Sequence, residues 1–154
     1  MARTGQAVAV ALGGTAGAPR FRARREIELV PRGLAAQPYH AAAGLLTVAA
    51  EVPATAVRAV AVVVKAVSVP GDLAGILRSR AWMHAAEGVL YREAVLAAVT
   101  ECGWAARAVE QSALPAAEQA IEALGRAAGP PWRRVEKDAA RAALTLLTAA
   151  ADNA

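Results

Sequence analysis

The chain lacks several features that would place it outside the cell interior or in a membrane. Cys102 is the only cysteine among 154 residues, which excludes an intrachain disulfide and a cluster of thiolate metal ligands and fits a reducing compartment. The longest uncharged run, 33–50, contains Pro38 and His40 and is therefore a poor membrane span. The apolar stretch 7–12 is too short for a signal peptide. We expect a cytoplasmic protein without membrane contact.

Motifs of nucleophilic catalysis and nucleotide binding are also missing. The nucleophile elbow GxSxG does not occur, and Cys102 lies at the end of a predicted helix, away from the helix N-terminal setting that activates a thiolate. The glycine-rich segment 11–19 lacks the Lys-Ser/Thr ending of a phosphate-binding loop, and a predicted strand follows it. We therefore interpret this segment as a hairpin turn.

Lysine is scarce, whereas arginine and alanine are abundant. The 17 basic residues comprise 15 Arg and two Lys, and 44 residues are Ala, a bias that a GC-rich genome produces as readily as function does. The net charge of +4 and a pI near 10.0 are compatible with a nucleic-acid or other acidic partner. If nucleic acid binds, the clustered arginines are the expected contacts: Arg20, Arg22, Arg24, Arg133 and Arg134.

The first thirty residues predict a pair of antiparallel strands. Residues 6–12 are apolar and rich in valine, which is typical of a strand. Charged and apolar side chains alternate through 20–30, as in a strand with one covered and one open face. Strict alternation places Arg24 on the open face and Phe21 on the opposite, covered face.

The rest of the chain predicts alternating helices and strands. The element order β-β-α-β-α-β-α-α favours a single α/β domain over residues 1–154, with a mixed sheet that begins with an N-terminal antiparallel hairpin and has helices packed on it. Asp72 is the expected N-cap of a long helix, and Gly103 is its expected stop. The later elements are a helix at 38–52, a strand at 57–69, a helix at 72–102, a strand at 104–111 and helices at 115–128 and 135–150.

One stripe of the long helix carries candidate chemistry. Arg80, His84, Glu87 and Tyr91 follow one another at spacings of four, three and four residues, so they share one side of the helix. A Glu one turn from a His can bind a divalent metal or act as an acid–base pair, but a metal site needs three or four ligands. His40 would complete such a site only if the fold brings it to His84. The pattern favours the ordinary alternative, a boundary stripe in which Glu87 pairs with Arg80 or His84.

The order of elements and their local composition resemble the RNase H-like fold, in particular the RuvC branch of Holliday-junction resolvases. The valine-rich strand "AVAVVV" leads through a short loop into a small-residue helix that ends in Gly before the next strand. The closing segment "EKDAARAALTLLTAA" resembles the Asp- and Ala-rich final helix of these resolvases. The resemblance extends over most of the chain from about Gln6.

The resemblance implies carboxylates at three places, which hold two divalent metals for phosphodiester cleavage. In the strand numbering of these resolvases, they are expected at the end of the first strand, at the end of the fourth strand, and at the start of the last helix. Here the first strand ends in "VALGGT" without an Asp, and the valine-rich strand runs into Lys65 where a Glu is expected. In the last helix Asp138 matches, but the second acidic position is Arg141. The resemblance therefore implies this fold without its usual metal site.

Two hypotheses of function follow. The first is a non-catalytic RNase H/RuvC-like domain that binds protein or nucleic acid without a cofactor and forms a homo-oligomer, expected to be a dimer, through its alanine-rich helices. The alternative is a nuclease (a phosphodiesterase) that depends on Mg or Mn and uses a relocated site of His84, Glu87 and Asp138. The alternative requires these side chains to lie within the span of a shared metal.

Overall fold

The computed structural model describes residues 6–28 and 57–152. An antiparallel hairpin comes first, followed by a parallel strand pair with helices packed on it, which confirms the α/β class. The helix predicted at 38–52 lies outside the described residues. The strands are β1 (Gln6–Thr15), β2 (Ala18–Glu28), β3 (Ala59–Val64) and β4 (Ala105–Glu110), and the α-helices are α1 (Leu73–Leu77), α2 (Arg80–Glu101), α3 (Glu118–Ala128) and α4 (Arg134–Asp152).

The hairpin departs from simple alternation at a β-bulge. Val10 lies opposite Arg24 and Leu12 lies opposite Phe21, so that Arg22 is an extra residue in β2. Directly opposed residues of an antiparallel pair lie on the same face, and Val10 and Leu12 share one face of β1. Arg24 and Phe21 therefore share a face as well. The prediction that they lie on opposite faces is wrong, because the bulge shifts the alternation by one residue.

The main core lies between the hairpin and the last two helices. Helix α4 packs against β1 and β3, and α3 packs against β2. Apolar residues on the facing sides of α3 and α4 meet in a buried cluster. Trp132, from the connection between the two helices, packs onto this cluster. Trp132 also meets Phe21 edge to face, with ring centroids 6.3 Å apart. The buried members of the cluster are Ile121, Leu124, Ala140 and Leu144.

The helix predicted at 72–102 is divided into α1 and α2. Asp72 caps α1 as predicted, since its Oδ1 accepts a hydrogen bond of 2.7 Å from the Gly75 amide. Helix α1 ends at Leu77 with Arg78 as its C-cap, and the extended backbone of Ser79, with φ −142° and ψ 129°, makes Ser79 the N-cap of α2. Gly103 follows α2 with φ +75°, which confirms the predicted stop. In the described ranges, no helix has the length and apolarity needed to span a bilayer.

The parallel pair places the ends of β3 and β4 at one edge. Val64 lies beside Glu110 at the last paired position. Lys65 and Gln111, the next residues, therefore both begin the connections that leave this edge, which we call the carboxyl edge. In α/β folds, side chains at such an edge are the ones positioned for ligands.

Candidate functional site

Asp138 lies in the first turns of α4, next to the carboxyl edge. Its side chain is only 7% exposed, and Oδ2 accepts a hydrogen bond of 2.8 Å from Nε2 of Gln111. The same oxygen is 3.7 Å from Nε of Arg134, and Oδ1 is 3.3 Å from Nη1 of Arg141. Both carboxylate oxygens of Asp138 are thus engaged by donors of the protein itself.

Arg141 connects this carboxylate with the start of α3. Its Nη2 lies 3.0 Å from both carboxylate oxygens of Glu118, and its Nε donates to the carbonyl of Ala116 at 3.2 Å. All three nitrogens of the guanidinium therefore have acceptors, on three different residues. Such multiple charge-assisted hydrogen bonds fix the orientation of an arginine.

Lys65 adds a positive charge to the carboxyl edge. It follows the last residue of β3 and its side chain is exposed. The other positive groups near this edge are Arg134 and Arg141, and the negative groups are Glu118, Glu110 and the buried Asp138, so charges of both signs are present in equal number.

His84 and Glu87 form a pair on the surface of α2. Their Nδ1 and Oε2 atoms are 3.3 Å apart, and the side chains are 60% and 45% exposed. Tyr91, one turn further, is buried, and its hydroxyl has no hydrogen-bond partner within the described residues. Burial, followed by the negative charge of Glu87, raises the pKa of Tyr91. The stripe thus consists of an exposed pair beside a buried tyrosine.

The structure does not assemble the relocated metal site. Among the described residues, no group of three or more His, Cys, Asp or Glu side chains is placed to hold a metal ion. His84 and Glu87 stand as a pair, and Asp138 belongs to the separate network with Gln111 and Arg141. His40 lies outside the described residues.

The arginines predicted to contact nucleic acid form two groups: some are held by hydrogen bonds or ion pairs within the protein, and others are exposed. Arg24 is held, because its guanidinium donates to the carbonyls of Gly129 and Pro130 at 3.1 Å each and also to that of Pro131. Arg133 is held as well, by the carboxylates of Glu26 and Glu136. The exposed set comprises Arg20, Arg22 and Arg134, of which Arg134 is 78% exposed in spite of its approach to Asp138.

Arg133 binds two carboxylates, one of them fully buried. Its Nη2 lies 2.6 Å from Oε1 of Glu26 and 2.8 Å from Oε1 of Glu136, whose side chain is 0% exposed. Burial acts to raise the pKa of Glu136, but the hydrogen bonds from Arg133 outweigh it and leave that pKa below its usual value. The two carboxylates in turn raise the pKa of Arg133.

Glu136 is not among the site residues predicted from the sequence, although the local sequence contains a signal for its capping role. Glu136 is the third residue of α4, and its Oε2 accepts a hydrogen bond of 2.9 Å from the backbone amide of Arg133, the residue that precedes the helix. This is the return bond of a capping box. The signature is incomplete in the sequence because Arg133 stands where Ser or Thr usually does.

The hairpin, the parallel pair and the flanking helices define an RNase H-like α/β fold. RuvC from T. thermophilus, in a structure of its complex with a Holliday junction substrate, is similar to this chain with a TM-score of 0.60. The similarity covers 96% of this chain and 98% of that chain, at 18% sequence identity. No protein-family model and no curated protein matches the chain in sequence. The comparison confirms a RuvC-like fold.

Proposed function

We propose that this protein is a RuvC-like, nucleic-acid-binding domain that acts without cutting phosphodiester bonds. The observation that carries the proposal is the state of Asp138. Its oxygens are engaged by Arg141, Gln111 and Arg134 instead of facing an open coordination site. A carboxylate held in this way serves as the acceptor of an internal ion pair, and it needs no metal to balance its charge.

The residues at the carboxyl edge do not fit a centre for Mg or Mn. Hard divalent cations prefer several carboxylate or carbonyl oxygens, often with water. Strand β1 contains no Asp or Glu, and Lys65 and Arg141 bring positive charge to the other positions at which the resemblance implies carboxylates. Lys65 and Arg141 thus stand where a metal site would need anionic ligands, so our proposal includes no metal cofactor.

Nucleic acid is the partner that the charge distribution favours. The net charge is +4, and exposed arginines lie on the hairpin and at the start of α4. Arginine contacts to phosphates supply most of the sequence-independent affinity of proteins for nucleic acids. The RuvC structure with the same fold contains a Holliday junction substrate, which makes a four-way DNA junction the first probe to use.

The proposal includes a homodimer in the cytoplasm. Helices α1 and α2 expose large apolar side chains, which a second copy of the chain would cover. Light scattering should give a molar mass of twice 15.7 kDa. A mass of one chain at micromolar concentration would contradict this part of the proposal. The exposed side chains are Leu73, Leu77, Trp82 and Leu90.

Binding and cleavage of a fluorescent four-way junction test the proposal. We expect an affinity that falls steeply between roughly 50 and 200 mM salt, as for contacts with phosphates, and that is unchanged by EDTA. No cleavage product is expected with Mg or Mn. A linear duplex of the same composition shows whether the junction itself is recognised.

Three outcomes would overturn the proposal. The absence of binding, or binding without salt dependence, would exclude nucleic acid as the partner. Cleavage that disappears in D138N would show a catalytic carboxyl edge. Cleavage that survives in D138N but disappears in H84A/E87A would instead favour the relocated site on α2. Because both variants carry the same purification background, a contaminating nuclease would cleave equally in all samples and is thereby recognised.

A further inference from the structure

The end of the β1–β2 hairpin carries positive charge without compensation. Residues 13–22, which we call the hairpin end, contain Arg20 and Arg22 and no Asp or Glu. Both arginine side chains are exposed, and neither has a hydrogen bond or ion pair within the described part of the chain. Arg24, two residues further along the strand, donates to backbone carbonyls of the protein. The guanidinium groups of Arg20 and Arg22 are therefore the ones that can bind a ligand.

Two glycines of β1 provide the space in which these arginines lie. Gly13 is opposite Arg20, and a Cβ atom placed on Gly13 would lie 2.9 Å from Nε and 3.5 Å from Nη2 of Arg22. Arg22 therefore rests across the backbone of Gly13, where any larger residue would displace it. Gly14, with φ +90°, turns the chain, and a Cβ there would lie 3.6 Å from Cγ of Arg20. The bulge at Arg22 aims its side chain in this direction.

We infer that Arg20 and Arg22, laid against Gly13 and Gly14, contact the phosphodiester backbone of a nucleic acid. The inference rests on the proposed function and locates one contact surface for it, on the hairpin instead of the carboxyl edge. Guanidinium groups match the geometry of phosphate oxygens, and a side chain that is already positioned loses less conformational entropy on binding.

The composition of the hairpin end favours nucleic acid over an acidic protein. Protein interfaces are usually anchored by buried aromatic or large aliphatic side chains that are surrounded by polar contacts. The neighbours of the two arginines at this end are Gly, Thr, Ala and Pro, while Phe21 packs into the core. What remains accessible is positive charge without an apolar anchor, and phosphate contacts require nothing more.

The salt dependence of junction binding tests the inference with charge-matched variants. R20Q/R22Q and the control R58Q/R78Q both remove two exposed arginines and lower the net charge from +4 to +2 (4 − 2). We expect R20Q/R22Q to reduce the slope of log affinity against log salt by about 2, since each lost phosphate contact removes about 1. The control should keep the slope of the wild type. Thermal unfolding checks that both variants are folded.

A second pair of variants changes the geometry and keeps every charge. G13A places a methyl group where Arg22 lies, whereas a Cβ on Gly17 meets no atom within 4 Å. We expect G13A to weaken binding and G17A to bind like the wild type. Equal affinity of G13A and G17A would contradict the idea that the glycine positions the arginine.

The outcomes separate the inference from the proposed function. If the wild type binds the junction and R20Q/R22Q behaves like R58Q/R78Q, the hairpin end is not the contact surface, although the proposed function stands. If the wild type does not bind, both fail. If poly-glutamate displaces the junction as well as unlabelled duplex does at equal charge, the hairpin end is a site for acidic protein, and the inference is overturned.

Discussion

Two glycines inside helices occupy opposite environments in this protein. Gly125 in α3 lies directly against Trp132, and a Cβ on it would be 2.6 Å from Cδ1 and Nε1 of the indole ring. Gly88 in α2 is exposed, with no atom within 4 Å of its Cβ position. At Gly125 the missing side chain allows the indole to reach the core, whereas at Gly88 the glycine only weakens the helix.

The variants G125A and G88A should therefore change stability in opposite directions. G88A gains helix propensity and should stabilise the fold by up to ~1 kcal/mol. G125A gains the same propensity but forces Trp132 away from its contact, and overpacking of this kind costs about 1–3 kcal/mol. Urea unfolding monitored by circular dichroism measures both. A stabilised G125A would show that the indole can move without loss.

At the scale of elements, long-range polar contacts join the hairpin to the α3–α4 connection. Arg24 in β2 donates to the backbone carbonyls of residues 129–131, and Glu26 binds Arg133. The bulge at Arg22 makes this possible, because it leaves Arg24 on the same face as Phe21 and the core. A charged residue of a half-open strand thereby becomes a structural link between elements more than 100 residues apart in sequence.

We expect R24A to be more destabilising than R20A. Removal of Arg24 leaves three carbonyls without their donor, and hydrogen bonds from charged groups contribute about 1.5–3 kcal/mol; partial exposure places the expected loss near the lower end. Arg20 is exposed, and surface substitutions usually change stability by less than ~0.5 kcal/mol. The urea midpoints of the two variants show which of them is less stable. Equal midpoints would mean that water replaces the guanidinium without cost.

At the scale of the whole molecule, buried carboxylates that bind arginines connect the elements of the fold. Glu136 and Asp138, two residues apart in α4, are both buried, and they bind Arg133 and Arg141 respectively. Through these arginines α4 is connected to β2 by Glu26 and to α3 by Glu118. Protonation of Glu136, whose pKa the folded state lowers, removes its bond to Arg133, so acid should weaken the fold.

The pH dependence of unfolding should report on Glu136. The folded state lowers its pKa, so its contribution to stability is complete above the ordinary glutamate pKa of about 4.3 and is lost as the pH falls through the lower folded value. We expect E136Q to be less stable than the wild type at pH 7 and to lose less stability between roughly pH 5 and 3. E122Q, which changes an exposed glutamate of α3, should follow the wild type. Parallel curves for all three proteins would exclude this role of Glu136.

The sequence by itself determined the order of the described strands and helices, apart from the break before Ser79 that divides the long helix, and many of their ends. The valine run predicts β3, Asp72 predicts a cap and Gly103 predicts a stop, because these signals act through residues within one turn or one strand. The resemblance to RuvC, drawn from the same local patterns, was sufficient for the fold.

Only the tertiary structure decided which charged groups are available. Arg20 and Arg24 look alike in the sequence, yet one is exposed and the other is held by carbonyls of a turn that is distant along the chain. In the same way, Asp138 is a candidate ligand only under the alternative nuclease hypothesis, and the fold surrounds its carboxylate with Arg141 and Gln111. The physical reason is that the energy of a charge depends on the partners and the burial that distant segments provide. Local pattern contains no information on either.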